Sequence, residues 1–138
     1  MSVLKTVADG PALVVCNTCR LSVDEREDEH GVRGGALMAA ALRDAARGDE
    51  RLQDLAIEEM SCLFNCSQHC SVYLRAPGKI GYVLGRFEPT ADDAEAILGY
   101  AAAYLESEEG VVPYRCWPEG VKGHFVVRVP PAGRIVGD

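Results

Sequence analysis

The residues best suited to chemistry in this sequence are cysteines, and five of the six fall into two groups. The first group is a Cys-x2-Cys pair, Cys16 and Cys19. The second is a Cys-x3-Cys pair, Cys62 and Cys66, which is followed by Cys70. Four thiolates that meet in a folded protein hold either zinc or an iron–sulfur cluster. The two pairs therefore predict a metal centre with four cysteine ligands.

The choice of metal is left open by the ligands, because zinc and iron both accept tetrahedral sulfur coordination. Structural zinc sites usually combine two Cys-x2-Cys pairs, so the Cys-x3-Cys pair departs from that pattern without excluding zinc. No histidine stands at a typical zinc spacing, since His69 adjoins Cys70 and the other two histidines are isolated. Cys70 is either an alternate ligand or a residue that packs under the site.

Other roles for the thiols are less favoured. Cys16 and Cys19 could form a dithiol switch, but a loop with five acidic residues follows them, and nearby carboxylates raise a thiol pKa. These residues are Asp24, Glu25, Glu27, Asp28 and Glu29. Cys116 stands alone beside Trp117 and is expected to be a buried small apolar residue. A reactive-thiol enzyme would need a Cys/His/Asp arrangement that the sequence does not show, so we expect no catalytic residues.

Composition and charge limit the classes of function. The chain has 138 residues, 48% of them hydrophobic, which is enough for one domain with its own core. The net charge of −7 argues against nucleic-acid binding and favours a partner protein with a basic face. The N-terminal residues do not form a signal peptide, and no stretch is long enough to span a membrane. We therefore expect a cytoplasmic location, where thiols stay reduced.

A strand–helix–strand unit is expected to position the two cysteine pairs. Residues 11–16 predict a buried strand, the alanine-rich residues 35–48 predict a helix, and residues 55–60 predict a second strand. Strands joined by such a crossover run parallel, so their ends lie at one edge of the sheet. Both cysteine pairs then meet at that edge.

The rest of the chain predicts a hairpin, a second helix and a tail. Residues 72–74 and 80–84 are strand-like runs around a Pro-Gly turn. The second helix is expected to begin at Thr90 with a capping-box-like start and to end at Gly110. Residues 125–129 are a candidate for an added strand.

This order of elements predicts a thioredoxin-like α/β fold. We expect a single domain over residues 1–138, with a mixed sheet of about four strands flanked by helices. Residues 111–138 are expected to form a C-terminal extension of that domain.

An ordered set of motifs spans nearly the whole chain: Val15-Cys16-Asn17-Thr18-Cys19-Arg20, Cys62-Leu63-Phe64-Asn65-Cys66 with Cys70, Ala76-Pro77-Gly78-Lys79, Tyr82-Val83-Leu84-Gly85 and Arg128-Val129-Pro130-Pro131. With these motifs the sequence resembles the DUF1636 family of predicted metal-binding proteins. That family is similar in outline to the thioredoxin-like [2Fe-2S] ferredoxins, and its genes are often associated with cobalamin biosynthesis.

The resemblance implies a [2Fe-2S] electron carrier with no substrate of its own, and a homodimer as in the ferredoxins. Cys16 matches the ligand that ends the first strand, and Cys62 and Cys66 match the Cys-x3-Cys pair after the second. Cys19 takes the place of the remaining ligand. The ferredoxins usually separate their first two ligands by a much longer loop, so Cys70 stays an alternative.

A different class of function uses the same cysteines. The chain would then be an accessory protein that binds zinc or cobalt and supports cobalamin assembly through protein contacts, without redox chemistry. His69 and Cys70 would be candidates for extra or exchangeable ligands.

Overall fold

The computed structural model describes residues 2–137 and contains two α-helices and a five-stranded mixed sheet. In chain order the elements are β1 (Ala12–Cys16), α1 (Gly34–Ala46), β2 (Ala56–Met60), β3 (Val72–Arg75), β4 (Gly81–Leu84), α2 (Ala91–Glu106) and β5 (Phe125–Val129). Short 3-10 turns cover Glu50–Leu52, Tyr114–Cys116 and Glu119–Val121. The strand order across the sheet is β2-β1-β3-β4-β5.

The first half of the sheet confirms the predicted strand–helix–strand unit. β1 and β2 run parallel with α1 between them in the chain, and Cys16 lies opposite Met60 at the end of the register. β1 is buried along its whole length, as its apolar run predicts. Because both strands end at the same edge, the segments that carry the two cysteine pairs leave the sheet side by side.

The predicted hairpin is also confirmed, since β3 and β4 pair in antiparallel register around the turn. β3 pairs with β1 on its other side, which places Leu13, Leu74 and Tyr82 in one row across the sheet. These side chains and the apolar stripes of both helices form one core. α1 and α2 pack against each other over this row.

The sheet has five strands rather than about four, because the C-terminal segment supplies an edge strand. β5 pairs antiparallel with β4, with a bulge opposite Val83 and Leu84. The centroid of the Phe125 ring lies 5.1 Å from the ring centroid of Tyr100 and 4.5 Å from that of Trp117. The segment after α2 is thus packed into the core of the domain.

Helix α2 begins as predicted and ends earlier than predicted. The Thr90 side chain accepts the Asp93 N–H at 3.2 Å, which caps the first turn. The helix stops at Glu106, because the Ser107 hydroxyl donates to the Tyr104 carbonyl at 2.6 Å and accepts the Gly110 N–H at 2.9 Å. Within residues 2–137, neither helix is long and apolar enough to cross a membrane.

Candidate metal centre

The first cysteine pair lies where β1 ends. The backbone N–H of Cys16 donates to the Ser71 carbonyl at 3.1 Å, and the Asn17 N–H donates to the Met60 carbonyl at 2.9 Å. The Cys19 N–H turns back to the Cys16 carbonyl at 3.4 Å. Backbone hydrogen bonds to two neighbouring segments therefore fix both residues, which are only 4% and 7% exposed.

The thiols of this pair are hydrogen-bonded to each other. The hydrogen bond from the Cys19 thiol, together with the N–H groups of Leu63 and Thr18, lowers the pKa of Cys16 to about 5 against the effect of burial. The same thiol–thiol hydrogen bond and burial raise the pKa of Cys19. The pKa of Cys16 is thus lowered, and no carboxylate of the following loop is among its main causes. The predicted rise is wrong for this thiol.

The N-terminus of α1 packs directly on the turn that carries this pair. The Gly35 N–H donates to the Cys19 carbonyl at 3.1 Å. A Cβ atom at Gly35 would clash with the Cys16 carbonyl oxygen, and one at Gly34 would clash with that of Arg20. The Gly-Gly pair is the sequence signal for this approach, because only glycine leaves room for it.

The second pair lies on the loop that connects β2 to β3. Cys62 is half-buried and Cys66 is exposed. The Phe64 N–H donates to the Cys62 sulfur at 3.3 Å, and Phe64 itself has a φ of +56° with a side chain that is 97% exposed. A hydrogen bond to Cys62 and the charge of that group raise the pKa of Cys66. The two thiols are therefore hydrogen-bonded to each other.

Polar contacts hold this loop against the first pair. The Thr18 hydroxyl donates to the Ser61 carbonyl, which joins the two cysteine segments. The Asn65 amide donates to the Ser71 hydroxyl at 3.0 Å, and that hydroxyl donates to the Gln68 carbonyl at 2.6 Å. The loop is thus shaped by its own side chains and by one contact with the turn after β1.

Three of the four predicted ligands line one cavity at the edge of the sheet. Cys16, Cys19 and Cys66 line a cavity of about 320 Å³. The Leu63 N–H, next to Cys62, donates to the Cys16 sulfur, and the charge of Cys16 contributes to the raised pKa of Cys66. The structure therefore brings the four predicted ligands to one edge as two contacting pairs.

The pairs do not close into a single cage. Over residues 2–137, no three side chains of Cys, His, Asp or Glu gather closely enough to hold one metal ion. A mononuclear zinc site would need four ligands around one ion. A [2Fe-2S] cluster also takes four cysteines, but it divides them between two irons. In this chain the four cysteines lie as two separate pairs, so each pair could serve one of two metal ions.

Cys70 lies beneath the cavity and does not line it. Its side chain is fully buried, and its thiol donates to the Arg20 carbonyl at 3.7 Å. Burial, with the charges of Glu88 and Asp93, raises the pKa of Cys70 to about 12. Its φ of +53° turns the chain from the loop into β3. Of the two interpretations of Cys70, packing under the site is the one that this geometry favours.

The remaining predicted residues stand apart from the cysteine pairs. Cys116 is exposed, so its expected burial is wrong. Trp117 fills the core position instead, with its indole N–H donating to the Val112 carbonyl at 2.8 Å. The Nε2 atom of His69 is buried, has no hydrogen-bond partner among residues 2–137, and lies 3.7 Å from a carboxylate oxygen of Glu88.

Three arginines that the sequence interpretation did not assign also line the cavity. They are Arg20, Arg26 and Arg33. Arg20 directly follows the Cys-x2-Cys pair, which is the signal that could have marked it. The other two come from the loop after it and from the residue before α1, and no spacing rule predicts their approach.

Two of three comparisons with known proteins found a match. A family model described as "Protein of unknown function (DUF1636)" matches residues 13–131. None of the curated proteins compared with the chain matches it. Among solved structures, a thioredoxin-like [2Fe-2S] ferredoxin from Aquifex aeolicus superposes with a TM-score of 0.53 at 17% identity, over 93% of this chain and 100% of that chain. The thioredoxin-like α/β fold is therefore confirmed.

Proposed function

This chain belongs to the DUF1636 family, and we propose that it is a [2Fe-2S] electron-transfer protein. The single observation that carries the proposal is the meeting of the two cysteine pairs at one edge of the sheet, where Cys16, Cys19 and Cys66 line a common cavity. The ferredoxin with the same fold supports it, because its name states that it holds such a cluster.

In the proposed assignment each pair holds one iron. Cys16 and Cys19 would hold one iron, and Cys62 and Cys66 would hold the other. Cys19 is the fourth ligand rather than Cys70, because Cys19 lines the cavity whereas Cys70 is buried beneath it. When bound, the cluster would supply one-electron redox chemistry. Its reduction potential is expected near that of plant-type all-cysteine clusters, which is about −400 mV.

The chain contributes hydrogen bonds that tune these sulfurs. The Leu63 N–H donates to Cys16, and the Ser71 N–H donates to Cys19 at 3.4 Å. The Phe64 N–H donates to Cys62. Donors to ligand sulfur stabilise negative charge there, so they raise the reduction potential relative to a site without them.

The proposal extends to partners and pathway. The protein has no substrate of its own, and its net charge of −7 favours a basic-faced redox partner whose association slows as salt increases. The resemblance to the family and to the ferredoxins adds a homodimer and a role in cobalamin biosynthesis to the proposal. The character of the N-terminal residues adds a cytoplasmic location.

Absorption spectroscopy of an anaerobically purified sample tests the proposal. We expect a reddish-brown protein whose visible charge-transfer bands bleach reversibly on one-electron reduction. Cys19→Ser is expected to lose these bands, whereas Cys70→Ala is expected to keep them. A colourless preparation with stoichiometric zinc would instead support the accessory-protein alternative, in which the β2–β3 loop closes around one ion.

A further inference from the structure

Positively charged side chains line the cavity into which the candidate ligands open. They are Arg20, Arg26 and Arg33. The hydrogen bond to Cys62 raises the pKa of Cys66, and the positive charge of Arg20 partly opposes this rise. At least one of the arginines is therefore close enough to a ligand sulfur for its charge to act there.

No carboxylate competes with the sulfurs for these arginines in the described part of the chain. The residues that line the cavity include no Asp or Glu. Among residues 2–137, none of the three arginines forms an ion pair, while five other arginines do. The thiolates of the site are therefore the anions with which these three positive charges share a cavity.

The three arginines differ in how strongly solvent screens their charges. Arg20 and Arg33 are half-buried, whereas Arg26 is exposed. The Arg33 guanidinium also donates to the Thr18 carbonyl at 3.0 Å, which holds it beside the turn that carries the first cysteine pair. A half-buried charge is screened less by water and salt than an exposed one. Arg20 and Arg33 are thus expected to act on the site more strongly than Arg26.

We propose that Arg20 and Arg33 raise the reduction potential of the metal centre by stabilising its reduced form. The inference rests on the proposed function, in which the four cysteines hold a [2Fe-2S] cluster. Such a cluster is an anion with its four thiolates, and one electron from a donor protein makes it more negative. Nearby positive charge therefore favours the reduced form over the oxidised form.

The overall charge of the protein acts in the opposite direction. A net charge of −7 disfavours the addition of an electron to an anionic centre. The two half-buried arginines offset this effect where the electron arrives. They act together with the N–H groups that donate to the ligand sulfurs, but their effect depends on charge and not on a hydrogen bond to sulfur.

A redox titration of the anaerobically purified full-length protein tests the inference, with sodium dithionite as the reductant and visible absorption as the readout. At a fixed potential, Arg20→Gln and Arg33→Gln are each expected to shift the ratio of reduced to oxidised protein about tenfold toward the oxidised form. This corresponds to a potential that is lower by about 59 mV for one electron. Arg115→Gln, at an exposed arginine outside the cavity, is the matched control and is expected to change nothing.

Two further sets of variants separate charge from a structural role. Arg20→Lys and Arg33→Lys keep the positive charge but not the guanidinium fork, and their potentials are expected to stay close to that of the wild-type protein. Arg26→Gln is expected to give a smaller shift, which disappears at about 1 M salt, where the screening length is about 3 Å. The shift of Arg20→Gln is expected to persist in part at the same salt concentration.

Two results would overturn the inference while the cluster is present. One is an unchanged potential in Arg20→Gln and Arg33→Gln. The other is a shift in the lysine variants as large as that in the glutamine variants, which would assign the arginines to holding the turn. Iron and sulfide analysis of the same samples reports the cluster separately. Wild-type protein without a cluster would overturn the electron-transfer proposal and this inference with it, so the two failures are distinguishable.

Discussion

The two cysteine pairs lie at the same edge of the sheet but are held by different kinds of structure. Cys16 and Cys19 are buried and fixed by backbone hydrogen bonds to β2 and to the segment before β3. Cys62 and Cys66 lie on a loop, where Cys62 is half-buried and Cys66 is exposed. Side-chain contacts are the main interactions that hold this loop in place. The comparison indicates that the fold presents the first pair ready to bind, whereas the second pair depends on how its loop is anchored.

Loss of a ligand from the buried pair is expected to have the largest effect. Cys16→Ser should abolish metal binding, because the residue contacts its partner thiol and borders the shared cavity. Cys66→Ser should leave a measurable fraction of the metal, since its exposed position admits water as a substitute ligand. Metal analysis of both variants checks the difference. Equal loss from the two would show that the pairs contribute alike.

Crowding the turn that carries the first pair is the next largest perturbation. Gly35→Ala places a Cβ against the Cys16 carbonyl. We expect a loss of about 2 kcal/mol or more in the free energy of unfolding, because backbone must move and the gain in helix propensity of about 1 kcal/mol only partly offsets it. Urea denaturation measures the change. Gly10→Ala, where a Cβ meets open space, is the control and should be nearly neutral.

Variants at Cys70 and Cys116 separate the effect of losing a buried side chain from the effect of losing a metal ligand. Cys70→Ala should lower the free energy of unfolding by about 1 kcal/mol while metal content stays unchanged, because a fully buried side chain is truncated beneath the site. Cys116→Ala should change neither quantity. Since the pKa of Cys70 is raised to about 12, its thiol is protonated at neutral pH and should resist alkylation until the protein unfolds. Rapid alkylation of Cys70 in the folded protein would contradict its assignment.

Removal of the hydrogen bond between Thr18 and Ser61, which joins the two cysteine segments, is expected to have the smallest effect. Thr18→Val removes the hydroxyl that donates to the Ser61 carbonyl. We expect about a tenfold loss of metal affinity with little change in stability, as for other groups that orient ligands from outside the site. Thr18→Ser retains the hydroxyl and is expected to bind normally. A competition titration with a chelator measures both, and a normal affinity for Thr18→Val would show that the loop is held by other contacts.

The sequence was sufficient where one strong local pattern decided the structure. The apolar run of β1 and the alanine-rich α1 led to the parallel pairing with β2, and therefore to the shared edge. The end of α2 was missed, because the Ser107 hydroxyl takes over the Tyr104 carbonyl before the glycine is reached. The membership of β5 in the sheet rests on aromatic packing across the core, which no local pattern specifies.

The sequence predicts which residues form the candidate site but not what surrounds them. Cysteine spacing gave the two pairs, and the resemblance left Cys19 and Cys70 as rivals. The folded chain distinguishes these two, because Cys19 lines the cavity and Cys70 does not. The exposure of Cys116 could not be read from its neighbours, because Trp117 fills the core beside it. The three arginines that line the cavity beside the cysteines come from separate segments that meet only in the folded chain.

The central claim, that the two pairs share one [2Fe-2S] cluster, is tested most directly by iron and acid-labile sulfide analysis of anaerobically purified protein. The account predicts iron and sulfide in equal amounts, two of each per chain, with both lost in Cys16→Ser. Stoichiometric zinc without sulfide in the wild-type protein would contradict it.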